Sequence, residues 1–213
     1  MKETPIIFNT DMVRAILDGR KTQTRRVIQS PAKNMQYQGS EVIRHRALGN
    51  KWYGDYVFSM RDKHGTWQDY THKQFIAKCP RGQIGDQLWV RETFAMGLCT
   101  KSGLAYRATH KPEDLDDGWW EKIKWTPSIH MPRWASRITL EVTDVRVERL
   151  GDISDDDAKA EGCWYGKGDN TVDPAVIPEN HFPTLWAAIY SEESWNANPW
   201  VWVIEFRRIN NDK

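Results

Sequence analysis

The amino-acid sequence predicts an α+β fold: a strongly bent mixed sheet or small β-barrel, with two or three short helices and with a loop and hairpin insertion. Segments that alternate apolar and polar residues outnumber segments with helical spacing, which favours a fold built mainly from strands. The 213 residues, 39% of them hydrophobic, suffice for the core of one domain. The twelve tryptophans suit a tightly filled barrel and equally a surface on which bases stack.

The first predicted elements are a short buried strand at residues 6–8 and a helix directly after it. Thr10 is the expected N-cap of this helix, which runs from residue 11 to residue 18. Gly19 is the expected C′ residue, because helices commonly end at a glycine with positive φ.

The densest polar cluster follows this helix, at residues 19–26. In the extended segment there, Thr24 and Arg26 share one face and Arg25 points to the other. A lysine among arginines loses part of its preference for the charged form, so Lys21 beside a hydroxyl is a candidate activated-nucleophile pair. The arginines can hold a phosphate or a carboxylate. A solvated basic turn is the alternative interpretation.

The middle of the chain carries two predicted insertions. Residues 30–80 have weak alternation, and we expect a hairpin and loop that form no separate core. A strand is predicted over residues 87–94, where Glu92 interrupts the apolar face and needs a partner or solvent. The second insertion carries an acidic loop and three tryptophans within residues 108–128, which favours irregular structure or a lid.

The last third of the chain alternates strands and helices. A long strand is expected over residues 138–150, where the apolar positions change parity and indicate a β-bulge. Ser154 is the expected N-cap of a short helix that ends at Glu161. Pro183 is the expected start of an amphipathic helix, and a strand over residues 200–209 closes the chain.

Charge and cysteine content narrow the class of protein. The net charge is +1, so nucleic-acid binding would require a local basic patch. Three cysteines without CxxC spacing are typical of free thiols in a reducing cytosol. The chain has no run of about 20 apolar residues and no signal-peptide pattern, so we expect a cytoplasmic protein without membrane contact.

Two further groups are candidates for a site. Glu161 lies at a predicted helix C-terminus, where the macrodipole disfavours a carboxylate unless a cation lies alongside. An exposed glutamate is the alternative there. His130, Arg133 and Trp134 precede the long strand and suit a rim that clamps and stacks a base, and equally a rigid loop that packs its tryptophan.

Several common sites are not predicted. The six histidines are scattered without the spacing of a zinc site, so no metal is expected. The motifs GxGxxG, GxxxxGK[ST] and GxSxG do not occur, which removes support for dinucleotide, P-loop and serine-hydrolase functions. We expect no cofactor and no obligate protein partner.

At AILDGRKTQTRRV the chain resembles the ASCH domain family, whose motif is G-x-K-x-x-E-x-R. This family has a PUA-like β-barrel and occurs in RNA-associated, phage and prophage proteins. Thr24 replaces the motif's glutamate, which makes the stretch more similar to the bacterial ASCH amidohydrolases that deacylate N4-acetylcytidine. The resemblance extends to the GDQLWVRE, ITLEVTDV and WVWVIEFRRI strands. It implies one ASCH domain over residues 1–213 with insertions at residues 30–80 and 97–128.

The resemblance implies a catalytic group of Lys21, Thr24 and Glu161. In the family's amidohydrolases a lysine, a threonine three positions on and a glutamate near the end of a later short helix act together. Lys21 is then expected to accept the Thr24 proton, and Glu161 to orient the lysine and pass the proton to the leaving amine. Arg26 would hold the substrate or the oxyanion. The residue pattern adds Arg133 and Trp134 as substrate contacts.

We therefore expect an amidohydrolase that deacylates an N4-acylated cytosine nucleoside or a related modified base. Two alternatives use the same residues. One is a non-catalytic RNA or modified-nucleotide binding module whose tryptophans stack bases. The other is an ASCH ribonuclease in which Lys21 and Arg26 stabilise charge on a phosphate. The expected partner is a modified nucleoside or RNA.

Overall fold

The computed structural model describes residues 1–29, 43–44, 56–97, 103–111, 123–163 and 178–209. Its strands are β1 (Glu3–Ile7), β2 (Gln23–Val27), β3 (Ile43–Arg44), β4 (Tyr56–Arg61), β5 (Trp67–Thr71), β6 (Gln87–Arg91), β7 (Phe94–Met96), β8 (Leu104–Tyr106), β9 (Thr139–Arg149) and β10 (Trp200–Ile209). Its helices are α1 (Thr10–Leu17), α2 (His72–Ile76), α3 (Asp155–Ala160), α4 (Pro178–Tyr190) and α5 (Glu192–Asn196). The predicted α+β class is confirmed, with more helices than the two or three expected.

The main sheet has five strands in the order β1-β6-β9-β10-β2, and only β1 and β6 run parallel. The described residues contain no pairing between β1 and β2, so the sheet is open there instead of closed into the predicted barrel. These two edge strands nevertheless meet at one point, where Arg26 Nη2 donates to the Ile7 carbonyl at 2.9 Å. Two smaller sheets, β3-β4-β5 and β7-β8, accompany the main one.

Strand β9 contains the predicted bulge. The consecutive β10 residues Glu205 and Phe206 pair with Asp144 and Val142, which leaves Thr143 without an opposite residue. An extra residue bends a strand and increases its twist. It also shifts the buried face of β9 from even to odd positions, which is the parity change seen in the sequence.

Strand β10 is buried on both faces. Trp202 and Ile204 belong to the main core, together with residues of α1 and of the first insertion. Val201 and Val203 pack in a second core with α3 and α4. The sequence indicated only the first of these faces, because valines between larger apolar residues show no amphipathic contrast.

The described part of the first insertion packs on the main core. Phe58 of β4 stacks on Phe75 of α2 with ring centroids 4.6 Å apart, and Phe75 stacks on Trp202 of β10 at 5.2 Å. Both phenylalanines are buried. The insertion therefore forms a wall of the domain.

Two helix starts differ from the prediction. The N-cap of α1 is Asn9 and not Thr10, since the Asn9 Oδ1 accepts from the Met12 amide at 2.8 Å. Pro183 lies inside α4, which begins earlier, at Pro178. A proline is favoured at the first helical position, and Pro178 occupies it. Pro183 cannot donate the helical hydrogen bond of its position.

Glu92 ends the strand predicted over residues 87–94. Its side chain is buried and accepts two hydrogen bonds from Arg137, at 2.9 Å from Nε and 3.0 Å from Nη2. Strand β6 stops at Arg91 and β7 begins at Phe94. The acid on the apolar face thus has the partner that its position requires.

Two further observations concern the described residues. Cys79 and Cys163 are buried free thiols. No helix in the described ranges is long and apolar enough to cross a membrane. Residues 112–122, which include the predicted acidic loop of the second insertion, lie outside the described residues.

Substitution of Arg137 tests how much its ion pair with the buried Glu92 stabilises the domain. Arg137→Ala leaves the Glu92 carboxylate without its partner and should lower the free energy of unfolding by about 3 kcal/mol, measured by denaturant titration. Arg133→Ala is the matched control: it breaks a pair with Glu3 in which both side chains are more than 40% exposed. We expect a loss below about 1 kcal/mol for the control. Equal losses in the two variants would contradict the assignment.

Candidate functional site

A buried ion pair joins two segments that lie 140 positions apart. Lys21 Nζ donates to Glu161 Oε2 at 2.7 Å and to the Glu161 backbone carbonyl at 2.7 Å. The exposed fractions of the two side chains are 0% and 3%. The structure therefore brings together the lysine and the glutamate that the sequence singled out.

The end of α1 places Lys21. Gly19 has φ +75°, as the C′ residue predicted for this helix. The chain then turns back, and the amides of Arg20 and Lys21 both donate to the Ala15 carbonyl, at 2.8 and 3.0 Å. After this turn, the Lys21 side chain lies in the protein interior and not in solvent.

The end of α3 places Glu161. Ser154 caps the helix by accepting from the Asp157 amide, and Glu161 is the C-cap residue. The Ala160 carbonyl accepts from the Thr22 amide at 2.8 Å, which ties this helix end to the segment that carries Lys21.

Gly162 allows the two turns to approach. Its φ is +93°, and a Cβ there would lie 3.2 Å from Ala15 Cβ and 3.5 Å from Lys21 Cβ. A side chain at this position would combine backbone strain with crowding against the lysine. The glycine is therefore required by the ion pair's geometry.

Arg25 holds the other oxygen of the glutamate. Its Nη1 lies 3.4 Å from Glu161 Oε1, and its Nη2 contacts Glu148 at 3.0 Å and Asp157 at 3.1 Å. The arginine is fully buried, so these carboxylates are what compensate its charge. Two cations thus offset the unfavourable position of Glu161 at a helix C-terminus.

Burial lowers the pKa of the Lys21 ammonium. The Glu161 carboxylate raises that pKa, while the nearby charge of Arg26 lowers it, and the net direction is downward. A lowered pKa is what a lysine general base needs. Burial and the same glutamate raise the pKa of the Cys163 thiol to about 12, so this neighbour stays neutral.

Thr24 lies on the adjacent strand β2 with a buried hydroxyl. Its Oγ1 has no hydrogen-bond partner among the described residues, and the residue is 1% exposed. It is not bonded to Lys21, whose hydrogen bonds go to Glu161. A buried hydroxyl without a partner destabilises a protein by about 1–3 kcal/mol, so this group is held in an unfavourable state.

Arg26 connects these residues to a cavity of about 890 Å³. It lies two positions from Thr24 on the same face of β2. Its guanidinium donates to the Tyr190 hydroxyl and to the Ile7 carbonyl, each at 2.9 Å, and lies over the Phe8 ring. The Lys21 ammonium lies over that same ring, 5.6 Å from its centroid.

The cavity occupies the gap between the edge strands β1 and β2. Arg26 lines it, whereas Lys21, Thr24 and Glu161 do not. Three other cations line it as well: Lys78, Arg81 and Arg91. The predicted catalytic residues are therefore buried next to the cavity instead of forming its wall.

Sequence reasoning missed these three cations and Tyr190. Lys78 and Arg81 flank Pro80 in the turn after α2, and Arg91 ends β6. A single cation beside a turn is most often solvated, and no local pattern distinguishes these from the others in the chain. Only the meeting of three segments around one hollow identifies them.

Arg133 and Trp134 lie apart from this group. Arg133 is paired with Glu3 by two hydrogen bonds of 3.1 Å, and Trp134 is 68% exposed. Neither lines the cavity. The rim predicted from residues 128–134 thus does not join the Lys21 site.

Comparison of the chain with models of protein families, with curated proteins and with solved structures finds no match. Within the described part of the chain, no group of three or more His, Cys, Asp or Glu side chains is placed to hold a metal ion.

Substitution of Gly162 tests the close approach of its turn to Ala15 and Lys21. Gly162→Ala should lower the free energy of unfolding by about 2 kcal/mol, because alanine is strained at φ +93° and its Cβ crowds Ala15. Gly85→Ala is the matched control, since Gly85 has φ +86° but open space around its Cβ position. We expect the control to lose only about 1 kcal/mol. A control loss as large as that of Gly162→Ala would show that crowding plays no part.

Proposed function

We propose that this protein is an ASCH-type amidohydrolase that deacylates an N4-acylated cytosine nucleoside or a related modified base. The observation that carries the proposal is the 2.7 Å contact between Lys21 Nζ and Glu161 Oε2, with the buried Thr24 hydroxyl, three positions after Lys21, lacking a hydrogen-bond partner among the described residues. These are the three residues to which the family resemblance assigns catalysis. The proposal includes the PUA-like architecture, which the approach of β1 and β2 through Arg26 supports.

The proposed reaction has two covalent steps. In the first, Thr24 Oγ1 attacks the acyl carbon and its proton passes to Lys21. The bond between the acyl carbon and N4 breaks, and the proton moves through Glu161 to the exocyclic amine that leaves. In the second, water attacks the resulting threonine ester, which releases the carboxylic acid and restores the hydroxyl.

Each residue's surroundings suit its proposed role. The lowered pKa of Lys21 favours the neutral amine that a general base requires. Arg25 and Lys21 hold the two oxygens of Glu161, so the carboxylate has one fixed orientation. Thr24 Oγ1 has no hydrogen bond to a described residue, so none has to be broken before it attacks.

Arg26 suits the role of substrate and oxyanion ligand. Its described hydrogen-bond partners are a tyrosine hydroxyl and a backbone carbonyl, and both are neutral. A substrate oxygen that develops negative charge would be a stronger partner than either. The acyl group would approach Thr24 from the cavity along this side chain.

A non-catalytic nucleotide-binding module is the second candidate. The observation in its favour is that the described residues lining the cavity include four cations and no carboxylate. Such a site binds an anionic ligand whether or not Thr24 reacts. Binding of cytidine nucleotides without turnover would favour this candidate, and chelator-resistant cleavage of labelled RNA would favour a ribonuclease.

Thr24→Val separates catalysis from folding. Valine has nearly the same size and removes a hydroxyl that has no partner, so stability should be unchanged or rise by about 1 kcal/mol. Release of acetate from N4-acetylcytidine, followed by chromatography, should fall at least about a hundredfold. Thr22→Ala removes an exposed hydroxyl two positions away and should keep full activity. Retained activity in Thr24→Val would refute the nucleophile.

The pH–rate profile tests Lys21 as the base. We expect kcat/KM to rise with pH and level off below the 10.5 of an unperturbed lysine, because only the neutral amine accepts a proton and its pKa is lowered. Glu161→Gln removes the carboxylate that raises this pKa. The midpoint of the residual activity should therefore move to lower pH. A midpoint that stays in place would exclude Lys21 as the titrating group.

A further inference from the structure

The cavity concentrates positive charge in a chain that is almost neutral overall. Arg26, Lys78, Arg81 and Arg91 line it, and none of the described residues that line it is an aspartate or glutamate. The whole chain has a net charge of only +1. Because four cations face one hollow, their field attracts an anion to it.

These four cations lack carboxylate partners among the described residues. Arg81 Nη1 donates to the Pro5 carbonyl at 3.2 Å, and Arg91 donates to the Ile129 carbonyl. The Lys78 ammonium lies over the Tyr70 ring, 4.5 Å from its centroid. Arg26 has the neutral partners already described.

Several other arginines of the described residues are neutralised by ion pairs. Arg25, Arg137 and Arg146 each form at least one ion pair with a glutamate or aspartate. The cavity thus gathers several cations that have no carboxylate partner among the described residues. Burial and the positive charge of Arg26 both lower the pKa of Arg81, so these two cations repel each other. An anion between them would relieve that repulsion.

The cavity also offers apolar walls. Trp202, Met60 and Met12 line it, and Ile7 and Ile189 lie in its lining with 44% and 40% of their surfaces exposed. Its volume of about 890 Å³ lies within the range of about 300–1,000 Å³ usual for small-molecule sites. A flat base with one charged group fits this combination of walls and cations.

We infer that the cavity binds a nucleoside monophosphate, with the base against the apolar wall and the phosphate held by Lys78, Arg81 and Arg91. The identity of the base as an acylated cytosine rests on the proposed function, whereas the phosphate rests on the cavity alone. A phosphate monoester carries a charge of about −1.5 to −2 near pH 7 and therefore matches several cations at once. The substrate class is then the nucleotide and not the free nucleoside.

The position of the cations favours a small ligand over a polynucleotide. The four side chains line one half-open cavity of about 890 Å³ and not a long groove that would track a phosphate backbone. Lys78 belongs to the first insertion, so this insertion contributes directly to the site.

Calorimetric binding to the Thr24→Val variant tests the inference without turnover. We expect N4-acetylcytidine 5′-monophosphate to bind at least tenfold more tightly than N4-acetylcytidine, and this advantage should shrink with added salt. Lys78→Ala should reduce the advantage about threefold or more, and so should Arg81→Gln. Lys73→Ala is the matched control, because Lys73 is also exposed, lies on α2 and does not line the cavity. It should leave both affinities unchanged.

The outcomes separate this inference from the proposed function. Equal affinity for nucleotide and nucleoside overturns the inference, even if the wild-type protein deacylates the nucleoside. A phosphate advantage that Lys78→Ala reduces supports the inference, even if the wild-type protein turns over neither compound. Lys78 is exposed, so its variant tests the site without disturbing the core. Tighter binding of a 5′-phosphorylated hexanucleotide RNA than of the monophosphate would overturn the assignment in favour of a polynucleotide.

Discussion

The buried pair between Lys21 and Glu161 is the constraint on which the arrangement of the domain depends. Removing two charges from water is unfavourable unless their mutual geometry is good and their remaining hydrogen-bonding groups are satisfied. The Glu161 carbonyl and Arg25 provide those further contacts. The end of α1 and the end of α3 must therefore meet at one distance, and Gly162 permits that distance.

Strand β2 carries two adjacent arginines, Arg25 and Arg26, whose positive charges have different surroundings. Gln23 and Arg25 point to the acidic side, where both bond to Asp157. Arg26, the next residue, points to the opposite side and meets Ile7, Tyr190 and the cavity. Two adjacent arginines thus have opposite roles, because successive side chains of a strand point to opposite faces. Arg25 stabilises the fold, whereas Arg26, whose described hydrogen-bond partners are neutral, lines the cavity where a ligand would bind.

The open edge between β1 and β2 gives the site its location. Unpaired strand edges leave room for a cavity, and the first insertion closes one side of it with Met60, Lys78 and residues near Pro80. The buried catalytic candidates do not line this cavity, whereas Arg26 and the three other cations do. This arrangement accounts for the proposed deacylation and for the inferred preference for a phosphorylated substrate in one structure.

The sequence by itself determined the features that depend on local spacing. Examples are the glycine that ends α1, the serine cap of α3 and the bulge of β9, since each follows from backbone geometry within a few residues. It also offered a cation beside Glu161 as one of two interpretations, the other being an exposed glutamate, because a helix C-terminus disfavours a carboxylate.

Only the tertiary structure decided which distant groups share a site. Lys78, Arg81 and Arg91 surround one cavity, while Arg133 pairs with Glu3 outside it, although all four are similar cations next to turns. The second buried face of β10 and the open edge of the main sheet were not predicted from the sequence either. Local pattern fixes the direction of a side chain relative to its own backbone, but its neighbours come from segments tens of residues away, and packing of the whole core selects them.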